Sequence, residues 1–357
     1  MSGGTTMGVD VQPVFSGGLD TAAWRRRHAA GEVPDAYPYG LDRLAAHGYA
    51  VRDWRPSPSV VDRARGVVRR VGGGIDWLAP GVPHGPEVVL SWDERMGVPL
   101  ALRRGGAPVV TNIIWATEGR LAAPVHRAIG AGLRRAARVF VHSSAQVPVL
   151  RDAFGVDEAR IAPIAFGVDA DFFRPVDDAA RVDRDLVVSV GNDRHRDFPT
   201  VLRAFAQVRR ARPSSRLVVV SRTVPAADVA AVDGATLVPS LGHADLCDLV
   251  QRAATTMVLT RPNTHVSGAT AVLETLATGR PAVATANPGM ADYARDGGLV
   301  LVPAGDADAA ARACLALLED PSGADDQGAL GRAAVDATFS TRGHAARLAG
   351  VLDAALA

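Results

Sequence analysis

The 357-residue chain contains no lysine: all 39 of its basic residues are arginine. Any side-chain contact with an anion must therefore come mainly from a planar guanidinium, which can grip two oxygens of a carboxylate or phosphate at once, or be left to backbone amides. Cysteine is nearly absent. Cys247 and Cys314 lie far apart within helical patterns, which excludes a disulfide framework and a CxxC metal site and points to a reducing compartment. Excess charge is missing too, the net value being +1 from 39 basic and 38 acidic residues, and this argues against a general nucleic-acid binder. No apolar run approaches a membrane span, and the opening MSGGTTMG lacks the basic and then apolar pattern of a secretory signal. A cytoplasmic protein is expected. The arginine-rich helical stretch 120–138 leaves peripheral contact with an anionic membrane as the less favoured alternative to a solvated surface.

What is present is a globular composition, 48% hydrophobic and 22% charged, on a chain long enough for two domains of about 150 to 200 residues each. Short apolar runs alternate with helical patterns. Strands are expected at 9–15, 49–53, 87–91, 108–114 and 139–142, with Ser143 and Ser144 capping the helix after the last. A Pro- and Asp-rich stretch, in which Asp169-Ala-Asp171 reads as a structural turn, then leads to a second series of strands at 186–190, 217–221, 236–238, 257–259, 281–284 and 299–302. The fold class is α/β, with two Rossmann-like doubly wound parallel-sheet domains facing a cleft, where ligands meet the carboxyl ends of the strands. The expected boundaries are 1–178, 179–338, and a C-terminal helix in 339–357 that packs back toward the first domain.

The most legible stretch is HVSGATAVLETLATGRPAVAT, residues 265–285. Ser267 reads as an N-cap, Gly268 admits a ligand to the first turn, and Gly279 with Pro281 ends the helix before a strand. Backbone N–H groups at Ser267, Gly268, Ala269 and Thr270, aided by the helix macrodipole, make an anion site there. Val272, Leu273, Leu276 and Ala277 form a core stripe, while Ser267, Thr270 and Glu274 share another face. Glu274 stands roughly 10 Å along the axis from the N-cap, about the span from a diphosphate to a ribose.

Other candidates are less sharply marked. Gly17 and Gly18 follow the first strand without full GxGxxG spacing, so a phosphate loop and an ordinary tight turn are both open. Trp24, Arg25, Arg26, Arg27 and His28 form a basic cluster, either a solvated helix face or a contact for acceptor or phosphate. Asp93 and Glu94 follow the strand at 87–91, where acceptor contact and a solvated loop are equally open.

Together, FGVDADFFRP (166–175), SVGNDRHRDFPTVLRAF (189–205), SLGHADLCDLV (240–250) and LETLATGRPAVAT (273–285) resemble the signatures of glycosyltransferase family 4, retaining enzymes of the GT-B fold. The resemblance implies that Glu274 binds the ribose of a nucleotide-sugar donor, that Ser240 and Leu241 meet its base, and that the loop of Gly191, Asn192, Arg194 and Arg196 holds its diphosphate. The family's two loop cations fall on Asn192 and on Arg196 or Arg194, with Arg196 the first choice. An acid common in the family eight positions before Glu274 is Val266 here, and a histidine after the strand at 108–111 is replaced by Asn112 and Ile113. Sugar choice then falls to the amides of residues 267–270 and to the opposite domain.

The resemblance implies sugar transfer from a nucleoside diphosphate to an acceptor hydroxyl with retention, without metal or cofactor. Arg196 and Glu274 are the central residues, and Asp93, Glu94 and Asn112 the acceptor contacts. The partners are the nucleotide sugar and a small-molecule, glycan or lipid-linked acceptor. The alternatives are a nucleotide-sugar-binding module without turnover and a nicotinamide oxidoreductase, the latter disfavoured because no GxGxxG follows a strand with an acid about 20 residues on.

Overall fold

The computed structural model describes residues 8–17, 19–55, 68–69, 72–78, 85–103, 105–119, 121–294 and 297–357. Within it the chain divides into two compact units, one of residues 1–30, 35–164 and 344–357, the other of 31–34 and 165–343.

In chain order the first unit contains β1 (Val9–Val14), α1 (Thr21–Ala29), a 3-10 segment (Pro38–His47), β2 (Tyr49–Val51), β3 (Val88–Ser91), α2 (Glu94–Leu102), β4 (Val109–Asn112), α3 (Ala123–Arg135), β5 (Arg138–Val141), α4 (Gln146–Phe154) and β6 (Ile161–Pro163). All six strands are parallel, in the order β2-β1-β3-β4-β5-β6. Strands such as VVLS and VVTN are buried along their whole length, as expected where helices cover both faces of a parallel sheet. Ser143 and Ser144 do not cap α4, whose N-cap position is Ala145; the Ser143 hydroxyl is buried at the carboxyl end of β5 instead.

The second unit contains β7 (Asp183–Val190), α5 (Phe198–Ala211), β8 (Arg216–Val220), α6 (Ala226–Ala230), β9 (Ala235–Val238), α7 (His243–Arg252), β10 (Ala253–Val258), α8 (Ala269–Ala277), β11 (Ala282–Thr285), β12 (Leu299–Val302), α9 (Ala307–Glu319) and α10 (Pro321–Ala334). Its strands are again all parallel, in the order β12-β11-β10-β7-β8-β9. The connections run outward in opposite directions from the β7/β10 pair, so the topological switch point lies between those two strands. In open α/β sheets that is where ligands bind. Asp197, Asp306 and Asp320 each accept a backbone N–H in the first turn of α5, α9 and α10, satisfying donors that a helix start leaves unpaired.

The change of unit falls at 164/165, ahead of the boundary at 178 expected from composition. Residues 165–178 pack in the second unit: the Phe166 N–H donates to Tyr293 Oη at 3.0 Å, Val168 N–H to the Phe339 carbonyl at 2.9 Å, and Phe173 is buried. Asp169 Oδ1 accepts from the Asp171 and Phe172 amides at 3.1 and 3.3 Å, which makes this acidic pair a turn. The terminal helix α11 (Thr341–Leu356) begins in the second unit and continues from His344 in the first, where Tyr49 Oη donates to Asp353 and Arg138 Nε to the Ala354 carbonyl. No helix among the described residues is long and apolar enough to cross a membrane.

Candidate functional site

Two loops meet at the switch point of the second unit, one after β7 and one after β10. The Asp197 N–H donates to the Leu259 carbonyl at 3.0 Å and the Arg261 N–H to the His195 carbonyl at 2.7 Å, while Arg196 and Thr260 form an isolated antiparallel bridge. Asn287, after β11, fixes the second loop by donating to Thr260 Oγ1 at 2.6 Å. Asn263 Oδ1 accepts the Ser267 amide at 2.9 Å.

These contacts set the guanidinium of Arg196 among the loops. The residue is 8% exposed, and its Nη1 is buried with no hydrogen-bond partner. Burial lowers its pKa to about 10, with the charges of Asp193 and Glu274 pulling it back up. A group that remains cationic at neutral pH thus has an unpaired donor in a dry place, a costly arrangement unless an anion joins it. Arg194, the other arginine of the loop, is exposed. Glu274, on α8, has its pKa raised to about 8 by burial, against the pull of Arg196.

Two glycines admit the guanidinium. A Cβ on Gly191 would lie 2.0 Å from Arg196 Nε, and one on Gly268 would lie 2.8 Å from its Nη1 and 2.7 Å from Val258 Cγ1. Gly268 takes the N-cap position of α8 in a left-handed conformation with no side-chain cap. Ser267 is therefore not the N-cap. Its hydroxyl donates to Asp193 Oδ1 at 3.0 Å, an acceptor 74 residues away that local spacing cannot show. The preceding Val266 also has positive φ, 54°, a strained state for a β-branched residue. The amides of Ser267 and Ala269 are already used, by Asn263 Oδ1 and the Val266 carbonyl. Thr270 and Ala271 open α8 without acceptors in the helix for their N–H groups, and Thr270 is exposed.

The remaining loop positions divide. Asn192 turns its Oδ1 to the Arg222 amide at 2.8 Å, holding the neighbouring loop. Ser240 is exposed and Leu241 partly buried after β9, two strands from β7, or roughly 10 Å across the sheet. Asp193, His195 and His265 gather beside Arg196: His195 Nδ1 and His265 Nε2 lie 3.3 and 3.6 Å from the two oxygens of Asp193. Burial would raise the Asp193 pKa, but hydrogen bonds from His265 and the His195 amide hold it well below the usual carboxylate range. Sequence spacing gave no sign of this cluster, nor of Thr260, Asn263 and Asn287.

The first unit has its own switch point, between β1 and β3. Ser16, after β1, donates its hydroxyl to Asp93 Oδ2, and Asp93 is also the N-cap of α2. Burial raises the Asp93 pKa, with Ser16 and Arg95 opposing. Glu94, in contrast, accepts the Ile114 and Trp115 amides at 2.9 and 2.8 Å, so its carboxylate holds the loop after β4 rather than a free acceptor position. Asn112 ends β4 fully buried, with neither amide atom hydrogen-bonded. Gly17 follows β1 with φ of 82° and open space where a Cβ would stand; Gly18 lies outside the described residues.

Residues 184–320 match the family model described as "Glycosyl transferases group 1". The matched residues lie within the second unit. A curated relative, D-inositol 3-phosphate glycosyltransferase of Segniliparus rotundus, is 28% identical over 212 residues, covering 54% of this chain and 46% of its own. The match thus spans less than half of that relative. Among solved structures, sucrose-phosphate synthase from Thermosynechococcus elongatus is similar with a TM-score of 0.72 at 21% identity, covering 96% of this chain and 98% of its own. HepE of Anabaena, in complex with UDP and glucose, gives 0.68 at 14% identity, with 97% and 99% covered. These similarities establish the two-unit GT-B fold. The matched segment holds Arg196, Gly268 and Glu274, which follow the switch-point strands β7 and β10.

Proposed function

We propose that the chain is a retaining glycosyltransferase, moving a sugar from a nucleoside diphosphate to an acceptor hydroxyl with no metal ion in the transfer step. The observation that carries this reading is the buried Arg196 with its unpaired Nη1, set at the switch point beside the open first turn of α8. A diphosphate is the anion this arrangement suits. Its leaving oxygens gain charge as the sugar departs, and a fixed guanidinium with backbone N–H groups stabilises that charge more than the ground state. No reorganisation is then needed at the moment of reaction. Glu274 accepts the ribose hydroxyls, Gly191 and Gly268 make room for the guanidinium that grips the phosphates, and Ser240 and Leu241 meet the base. The UDP and glucose held by the structurally similar HepE support a uridine nucleotide as the first donor to try.

In the first unit, Asp93 with Ser16, together with Asn112, offers acceptor contacts. A buried carboxylate and an amide with both atoms unpaired suit a hydroxylated acceptor, whether small molecule, glycan or lipid-linked glycan. The deciding experiment incubates the protein with UDP-, GDP- and dTDP-sugars and a panel of such acceptors, following the anomeric proton by NMR. Nucleoside diphosphate should be released, with a product of unchanged anomeric configuration. Inversion would refute the retaining step, and binding without release would leave a nucleotide-sugar-binding module.

A further inference from the structure

Sugar transfer as described makes no use of Asp193, His195 and His265. Their ligand atoms, one carboxylate oxygen and two imidazole nitrogens, all lie within 4.8 Å of one another. The Asp193 oxygens stand 3.3 Å from His195 Nδ1 and 3.6 Å from His265 Nε2. Two ligands each about 2.1 Å from a tetrahedral ion are separated by roughly 3.4 Å, so the 3.3 Å between His195 Nδ1 and Asp193 Oδ1 matches one edge of a coordination tetrahedron, while His265 Nε2 faces the other oxygen of the same carboxylate. The donors come from two different loops, and those loops are tied together by the hydrogen bond from Arg261 N–H to the His195 carbonyl at 2.7 Å. The carboxylate is oriented as well, by the His195 amide at 2.7 Å and Ser267 Oγ at 3.0 Å. Such outer hydrogen bonds are what fix metal ligands in place.

Exposure runs in a gradient across the three side chains, 4% for His265, 17% for His195 and 27% for Asp193. The cluster is thus walled on one side and open on the other. Three protein ligands with an open side leave a position for water or an anion, and a set of two imidazoles and one carboxylate favours zinc-class ions over magnesium or calcium, which prefer all-oxygen ligands. Arg196, on the same loop, interacts electrostatically with Asp193.

We propose that Asp193, His195 and His265 form a binding site for one divalent zinc-class ion, with a coordination position left open beside the Arg196 loop. The ion is an addition to the transfer chemistry rather than a part of it. The site also stands apart from the glycosyltransferase reading, because it is tested without any nucleotide.

The test strips the full-length protein with a chelator and titrates it with Co2+, whose visible bands report coordination geometry, and then with Zn2+ by calorimetry. One equivalent of Co2+ should bind with intense tetrahedral-type bands that Zn2+ abolishes. His195→Ala and His265→Ala should each weaken binding by more than about tenfold, the lower end of the effect of losing even an outer-sphere partner. His47→Ala, at an exposed histidine elsewhere, should bind as the wild type does. Because His265 is buried and its variant could misfold, His195→Ala on the more open loop and the wild-type cobalt spectrum decide by themselves. Absence of saturable one-equivalent binding, wild-type affinity in His195→Ala, or an equal loss in His47→Ala would overturn the proposal.

Discussion

Replacing Gly268 with alanine perturbs the fold and the site together, by amounts the structure fixes. The backbone there has φ of 94°, a conformation that costs a residue with a Cβ on the order of 1–3 kcal/mol. The added methyl would also stand 2.7 Å from Val258 Cγ1 and 2.8 Å from Arg196 Nη1. Relieving such contacts costs about 1–3 kcal/mol in a packed interior. A combined loss of roughly 2–6 kcal/mol corresponds to a fall in Tm of about 4–24 °C for a unit of this size. The displaced guanidinium should also lose one charge-assisted bond to a diphosphate, worth about 1.5–3 kcal/mol, or roughly 10- to 100-fold in affinity. Thermal unfolding and calorimetric titration with UDP read the two effects separately. In Gly268→Ala/Arg196→Ala the clash with the guanidinium is gone, so the double variant should be about 1 kcal/mol more stable than additivity predicts. An unchanged Tm in the single variant, or strict additivity in the double, would refute the packing on which the site is built.

Arg196→Met should raise the Tm of the ligand-free protein, since a buried cation with an unpaired donor gives way to apolar packing, a change worth about 1–3 kcal/mol; a lower Tm in calorimetry would contradict this. Glu274, with its pKa raised to about 8 by burial, binds its proton more tightly in the folded state than in the unfolded. Stability should therefore be fully present below about pH 4.5 and decline as pH rises through 8. Urea unfolding at pH 5 and pH 9 should show Glu274→Gln reducing that decline by on the order of 2 kcal/mol, and parallel declines in both proteins would exclude the assignment. Asp93→Asn should leave UDP affinity within about twofold while cutting transfer rate, because its hydrogen bonds lie in the first unit; a parallel loss of UDP binding in titration would count against an acceptor role.

Periodicity made the two sheets and the segment around α8 readable from sequence, because parallel strands carry continuous apolar runs and α8 buries a simple stripe of Val272, Leu273, Leu276 and Ala277. It gave no sign of α10, whose sequence PSGADDQGALGRAA carries three glycines. Its glycines serve close packing instead: a Cβ on Gly328 would lie 2.0 Å from the Gly279 carbonyl oxygen, and one on Gly331 2.7 Å from Leu276 Cδ2. Tertiary contact overrides propensity there. Arg196 was preferred to Arg194 for the second loop cation, and the structure buries Arg196, bridged to Thr260, while Arg194 is exposed. Ser267 had a sound local reading as a cap but found a stronger acceptor in Asp193. Clusters assembled from loops after non-adjacent strands, such as Asp193, His195 and His265, leave no periodic trace in the chain.

The central claim is that the second unit holds a nucleoside diphosphate through Arg196. The most direct measurement is calorimetric titration of the wild type and Arg196→Met with UDP, GDP and dTDP in turn. The wild type should bind at least one of them, and the variant, though folded and thermally more stable, should bind it at least about a hundredfold more weakly, the loss of two charge-assisted hydrogen bonds. Equal affinity in the two proteins, or no binding of any diphosphate by the wild type, would contradict it.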